Sequence, residues 1–153
     1  MKKKTLNAQR STFKIESVAV RGEDGHYNSD STGSAKPKFD LEGRLLEFTA
    51  RPVNIVDALP TSRVGNHIAG QLLRCGTSPF ANHGEVQAAE SRKDFIHELG
   101  ICLKELKEIK RSIRPIARLE LIPTKRVRTL LIETEELIRI FSGSIRTAEK
   151  IAP

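Results

Sequence analysis

The sequence predicts an all-α fold, an antiparallel up-down four-helix bundle behind a flexible N-terminal extension. Three observations predict it. From residue 40 onward, apolar residues recur at alternating steps of four and three, the spacing that gathers them on one helix face. Prolines and capping residues divide that stretch into four segments with short connections, and short connections make successive helices antiparallel neighbours. No segment reads as a buried parallel strand. The 153 residues suffice for one domain with a proper core, and the low aromatic content of 5% with no Trp makes that core aliphatic.

Residues 1–39 read as a flexible basic extension and 40–153 as the bundle domain. "FKIESVAV" (13–20) alternates loosely like a short strand but lacks a partner. "RGEDGHYNSDSTGSAKPK" (21–38) is built of Gly, Ser, Asp, Asn and Pro, too little apolar area to offset its ordering entropy, and reads as a linker. The extension carries eight Lys and Arg against four Asp and Glu, which fits a disordered tail or an arm that orders on a partner.

Asp40 is a good N-cap for the first helix, whose inner face is Leu41, Leu45, Phe48, Pro52, Ile55 and Leu59. Pro52 should kink that helix and Pro60 end it. Thr61 or Ser62 caps the second, which turns Val64, Ile68, Leu72 and Cys75 inward before meeting "RCGTSPFANHGEVQAAES" (74–91), where Gly76, Pro79 and Gly84 predict a kink and a restart at Pro79. A third helix starts near Ser91 with the cleanest register: Phe95, Leu99, Cys102, Leu106, Ile109, Ile113 and Ile116. Pro115 should bend or fray its last turn. Thr124 caps the fourth, with Val127, Leu131, Thr134, Ile138, Phe141, Ile145 and Ala148 as its inner face.

Composition excludes several classes. Cys75 and Cys102 form neither a disulfide framework nor a zinc site, and they point to a reduced, cytoplasmic compartment. The basic start "MKKKTLNAQRST" has no apolar run behind it, unlike a signal peptide, and no stretch is apolar enough to span a membrane. A di-metal bundle site needs two Glu-x-x-His motifs, whereas only Asp94-x-x-His97 occurs, with His97 turned outward. His67 and His83 read as surface or packing residues. No nucleophile, base and orienter assemble from spacing, so the chain reads as a non-enzyme without cofactor or metal.

The net charge of +7 favours an anionic partner. Opposite the apolar seam of the third helix lie Lys93, His97, Gly100, Lys104, Lys107, Arg111, Arg114 and Arg118, a stripe without an acidic member. From Lys104 to Arg128 there are nine basic residues (Lys104, Lys107, Lys110, Arg111, Arg114, Arg118, Lys125, Arg126 and Arg128) against three acidic ones. An ordinary charge run is a solvated face, but this segregation of sign predicts a positive pole that contacts nucleic acid, RNA or DNA. With few aromatics to stack on bases, such binding would be backbone-dominated, weakly sequence-specific and strongly salt-dependent. Glu105, beside the seam, is placed to pair with a base such as Arg74 across a helix or subunit boundary.

Within residues 74–91, Gly76 lets another backbone approach closely, and Thr77 and Ser78 can bond backbone groups freed by Pro79. Asn82 tolerates unusual dihedrals, and Ala81, Ala88 and Ala89 offer small packing surfaces. Neither a P-loop nor a dinucleotide fingerprint is present. "QLLRCGTSPFANHGEVQAAESRKDFIHELGICLKELKEI" (71–109) resembles the hallmark of small bacterial four-helix-bundle proteins, some encoded in intervening sequences of 23S rRNA genes. The resemblance rests on Leu72, Leu73, Arg74, Gly76, Thr77, Ser78, Asn82, Glu85, Ala89, Ser91, Asp94, Phe95, Lys104, Glu105 and Glu108, with "ELIRIFSGSIRTAEK" similar to the family's last helix. It implies a bundle that assembles as a ring, commonly a homopentamer, without established catalysis. A related branch serves diversity-generating retroelements as an accessory protein that contacts reverse transcriptase and nucleic acid. The extension, Pro52 and Pro115 depart from the family pattern. Two functions follow as expectations: an oligomeric nucleic-acid-binding bundle, or a scaffold that docks a protein such as a reverse transcriptase.

Overall fold

The computed structural model describes residues 40–150. The extension assigned to 1–39, with its strand-like "FKIESVAV", lies outside the described residues, as do 151–153. Four helices follow in order: α1 (Leu41–Ala58), α2 (Arg63–Ala88), α3 (Arg92–Arg118) and α4 (Thr124–Lys150). Among the described residues there is no strand. Helix α3 is the centre of the bundle, packed broadly against α2 and α4, while α1 lies on α2 and meets α4 sparingly.

Local chemistry sets the helix starts. Asp40 Oδ1 accepts the Gly43 N–H at 2.8 Å, Ser62 Oγ that of Gly65 at 3.0 Å, and Ser91 Oγ that of Asp94 at 3.1 Å. Each cap satisfies a donor that the first turn cannot. Thr124 is the first residue of α4 rather than its cap, and the Pro123 carbonyl accepts the Arg126 N–H at 3.0 Å.

The inner faces of α1 and α3 are as the spacing predicts. All seven seam residues of α3 are buried, and in α1 Leu41, Leu45, Phe48, Pro52 and Ile55 are buried while Leu59 is half-buried. Two other faces differ. Gly65 is buried in place of Val64, which is exposed. In α4 the buried seam is Val127, Leu130, Thr134, Leu137, Phe141, Ser144 and Ala148, so Leu131, Ile138 and Ile145 are only half-buried. Neighbouring apolar pairs such as Leu130–Leu131 and Leu137–Ile138 leave two registers open, and the one adopted buries Ser144 rather than Ile145. In the register adopted, Leu131 and Ile138 share the side of α4 that carries Glu135, which bonds Lys110 of α3.

Helix α2 corrects the predicted restart: it runs unbroken through Gly76, Pro79 and Gly84. The hydroxyls near the proline bond carbonyls of the preceding turn rather than the Cys75 carbonyl that Pro79 frees. Thr77 Oγ1 donates to the Leu73 carbonyl at 3.1 Å, and Ser78 Oγ to the Arg74 carbonyl at 2.8 Å. Pro52 likewise lies inside a continuous α1, and a Cβ added at Gly76 would sit 2.5 Å from Pro52 Cβ. The close approach predicted for Gly76 is therefore made to the proline ring of α1.

Pro115 lies inside α3, which continues to Arg118 and closes in an ordered way. Leu121 N–H bonds the Ile116 carbonyl at 3.1 Å and Glu120 N–H that of Ala117 at 3.3 Å, with Glu120 at φ 52°. This is a Schellman closure with a non-glycine residue in the left-handed position.

Sparse packing between α1 and α4 is bridged by charge. Arg44 Nε lies 2.7 Å and Arg51 Nη1 3.7 Å from the two carboxylate oxygens of Glu133. No helix among the described residues is long and apolar enough to cross a membrane.

Candidate nucleic-acid interface

Because α3 buries a strict seam, whatever sits half a turn away must face solvent. That position holds the basic stripe. Lys104, Lys107, Arg111, Arg114 and Arg118 are exposed, and Lys93 and His97 extend the line toward the start of the helix. A five-residue connection, 119–123, then brings the exposed Lys125, Arg126 and Arg128 to the same end of the bundle. Between Arg111 and Ile132 the sequence holds a single acid, Glu120. No ion pair among the described residues engages Lys104, Lys107, Arg111, Arg114, Arg118, Lys125, Arg126 or Arg128.

Lys110, grouped by sequence with these cations, stands apart. Its Nζ lies 2.7 Å from Glu135 of α4. That bond, with the lysine's charge, holds the Glu135 carboxyl below its ordinary range. Lys110 thus staples α3 to α4.

Acidic residues of α3 lie along its border with α2. Arg74 pairs with Glu108 at 2.5 Å, not with Glu105 as the spacing predicts. One turn separates the two glutamates, and the antiparallel register of α2 and α3 decides which of them the arginine reaches. Glu105 keeps one buried carboxylate oxygen, Oε2, without a hydrogen-bond partner among the described residues. Of the remaining hallmark residues, Asn82 is half-buried and Glu85 exposed.

Beside the stripe a cleft of about 700 Å³ opens between α2 and α3. Lys104, Lys107 and Arg111 line it with Leu103 and Pro115 of α3, and α2 adds His67, Ile68 and Gln71. The α3 pattern alone gave no sign of these α2 residues. A signal existed in their own spacing, since His67, Gln71 and Arg74 follow the steps of four and three that make a polar face.

Other titratable groups are used for packing. Burial pushes the Cys75 thiol up to about 11 and the Cys102 thiol up to about 12, so both are inert core thiols. His83 is buried edge-on to Phe141, with ring centroids 6.5 Å apart, and burial holds its pKa below the ordinary value. Among the described residues, no three His, Cys, Asp or Glu side chains gather as metal ligands.

Fold and surface together define a small helical bundle with exposed cations along α3 and at the start of α4. The model of the 23S rRNA-intervening sequence protein family matches residues 44–143, and the chain belongs to that family. A crystal structure of a protein of unknown function from the S23 ribosomal protein family of Bacteroides thetaiotaomicron is similar, with 31% identity and a TM-score of 0.64. The match covers 69% of this chain and 97% of that one. No curated protein matches the chain.

Proposed function

We propose that this protein is a non-enzymatic nucleic-acid-binding bundle that grips the phosphate backbone with its basic face. One observation carries the reading: eight exposed cations, running from Lys104 to Arg128, have no ion-pair partner among the described residues. Solvated faces normally mix their charges, whereas a row of unpaired cations gains free energy by displacing counterions from a polyanion. Two reduced, buried thiols suit the cytoplasm, where we place it.

Copies associating would repeat the basic face and raise avidity. Leu46 of α1 and Leu73 of α2, 57% and 43% accessible, are among the exposed apolar side chains, with Val64, Leu119 and Ile132, that such association would bury. Sedimentation of wild type and of a Leu46→Glu, Leu73→Glu variant tests this, with a monomeric variant expected.

The binding test is affinity for RNA and DNA across a salt series, for wild type and for Lys104, Lys107, Arg111 and Arg114 changed to Gln. Removing four phosphate contacts should make the slope of log affinity against log salt shallower by about 3. Binding that is absent, or indifferent to the four changes, refutes the reading and favours a protein partner such as a reverse transcriptase.

A further inference from the structure

We propose that the α2–α3 cleft seats one unpaired nucleotide, so that the protein prefers single-stranded nucleic acid over duplex; this rests on the basic-face reading above. Charge selects an anion. The cleft's one carboxylate, Glu108, is held by Arg74 at 2.5 Å, whereas Lys104, Lys107 and Arg111 have no ion-pair partner among the described residues. Arg111 lies seven positions after Lys104, about 10 Å along the helix, so these cations follow a short piece of backbone rather than one point.

Size and lining select more than a bare phosphate. A volume of about 700 Å³ is of the order that holds a compact organic ligand. Ile68 and Leu103 give it apolar surface, which a phosphate cannot use and the face of a base can. Gln71 Nε2 donates to His67 Nε2 at 3.3 Å, and no other hydrogen bond among the described residues engages its amide. Its carbonyl oxygen and second N–H remain as a donor–acceptor pair of the kind that reads a base edge. In a duplex the bases are stacked and paired inward, so only the backbone reaches this wall. An unpaired strand can turn a base into the cleft while its phosphates stay on Lys104, Lys107 and Arg111. The His67 imidazole is the one aromatic ring among the described residues that line the cleft, and a base can stack on it whatever its identity.

Gly100 supplies a variant that adds apolar bulk to the cleft wall without altering charge. It lines the cleft, and a Cβ added there meets nothing within 4 Å. Gly84 on α2 is equally open but lies outside the lining, so Gly84→Leu is the matched control. Fluorescence anisotropy of the full chain would use a labelled mixed-sequence RNA strand, alone and annealed to its complement. Wild type and Gly84→Leu should prefer the single strand. Gly100→Leu should lose about tenfold in single-strand affinity, the share of one seated base, and keep its duplex affinity. Equal wild-type affinity for both forms, still weakened by the four Gln changes, would overturn the cleft proposal and leave the basic face standing. Identical behaviour of Gly100→Leu and Gly84→Leu would overturn it too. Binding of neither form would remove the basic-face reading and the cleft with it.

Discussion

Gly76→Ala is a small change with an unusual expected sign. Alanine is the better helix former, and the exchange in an open helix interior gains about 1 kcal/mol. At Gly76, however, the new Cβ would lie 2.5 Å from Pro52 Cβ and 2.8 Å from Pro52 Cγ, both inside van der Waals contact. The obstacle is a buried pyrrolidine ring fixed to the backbone of α1, so relief requires α1 to move off α2. Overpacking of that kind costs about 1–3 kcal/mol, which outweighs the propensity gain and leaves a net loss of about 1 kcal/mol. Gly70 provides the comparison on the same helix, since a Cβ there meets nothing within 4 Å. Urea unfolding should show Gly70→Ala stabilised and Gly76→Ala destabilised, with Gly76→Leu worse again. The two alanine variants shifting together would refute the argument that Gly76 exists for the Pro52 contact.

Two further predictions concern ends and pH. Glu120→Gly should stabilise by about 1 kcal/mol in thermal unfolding, because Glu120 occupies the left-handed position of the α3 closure at φ 52°. His83 binds a proton more weakly in the fold because burial lowers its pKa, although Glu42 and Asp40 pull the other way. The unfolded chain takes up a proton there as pH falls below the ordinary 6.5, so its stability contribution is complete above that value and is lost on acidification. One differential proton is worth about 1.4 kcal/mol per pH unit at most. Wild type should therefore lose more stability than His83→Gln between neutral pH and pH about 5.5; parallel losses would show that His83 titrates alike in both states.

The sequence by itself determined the fold class, the four helices and the basic stripe. Steps of four and three in α3 admit a single buried face, so the seam from Phe95 to Ile116 and the cations opposite it follow from local periodicity. Asp40 was legible as a cap, Ser62 as one of two candidates with Thr61, and Ser91 as the start of α3, since each capping bond spans three residues. Tertiary structure decided what depends on a second helix. The α4 register had two apolar solutions, and the Lys110–Glu135 bond to α3 belongs to one of them. Pro79 does not stop α2, because packing along the whole helix outweighs one missing hydrogen bond. Arg74 reaches Glu108 rather than Glu105 through an interhelical offset that no single-helix pattern encodes. The cleft needs both walls: the cations were readable on α3, but Ile68 and Gln71 join them only when α2 is laid alongside.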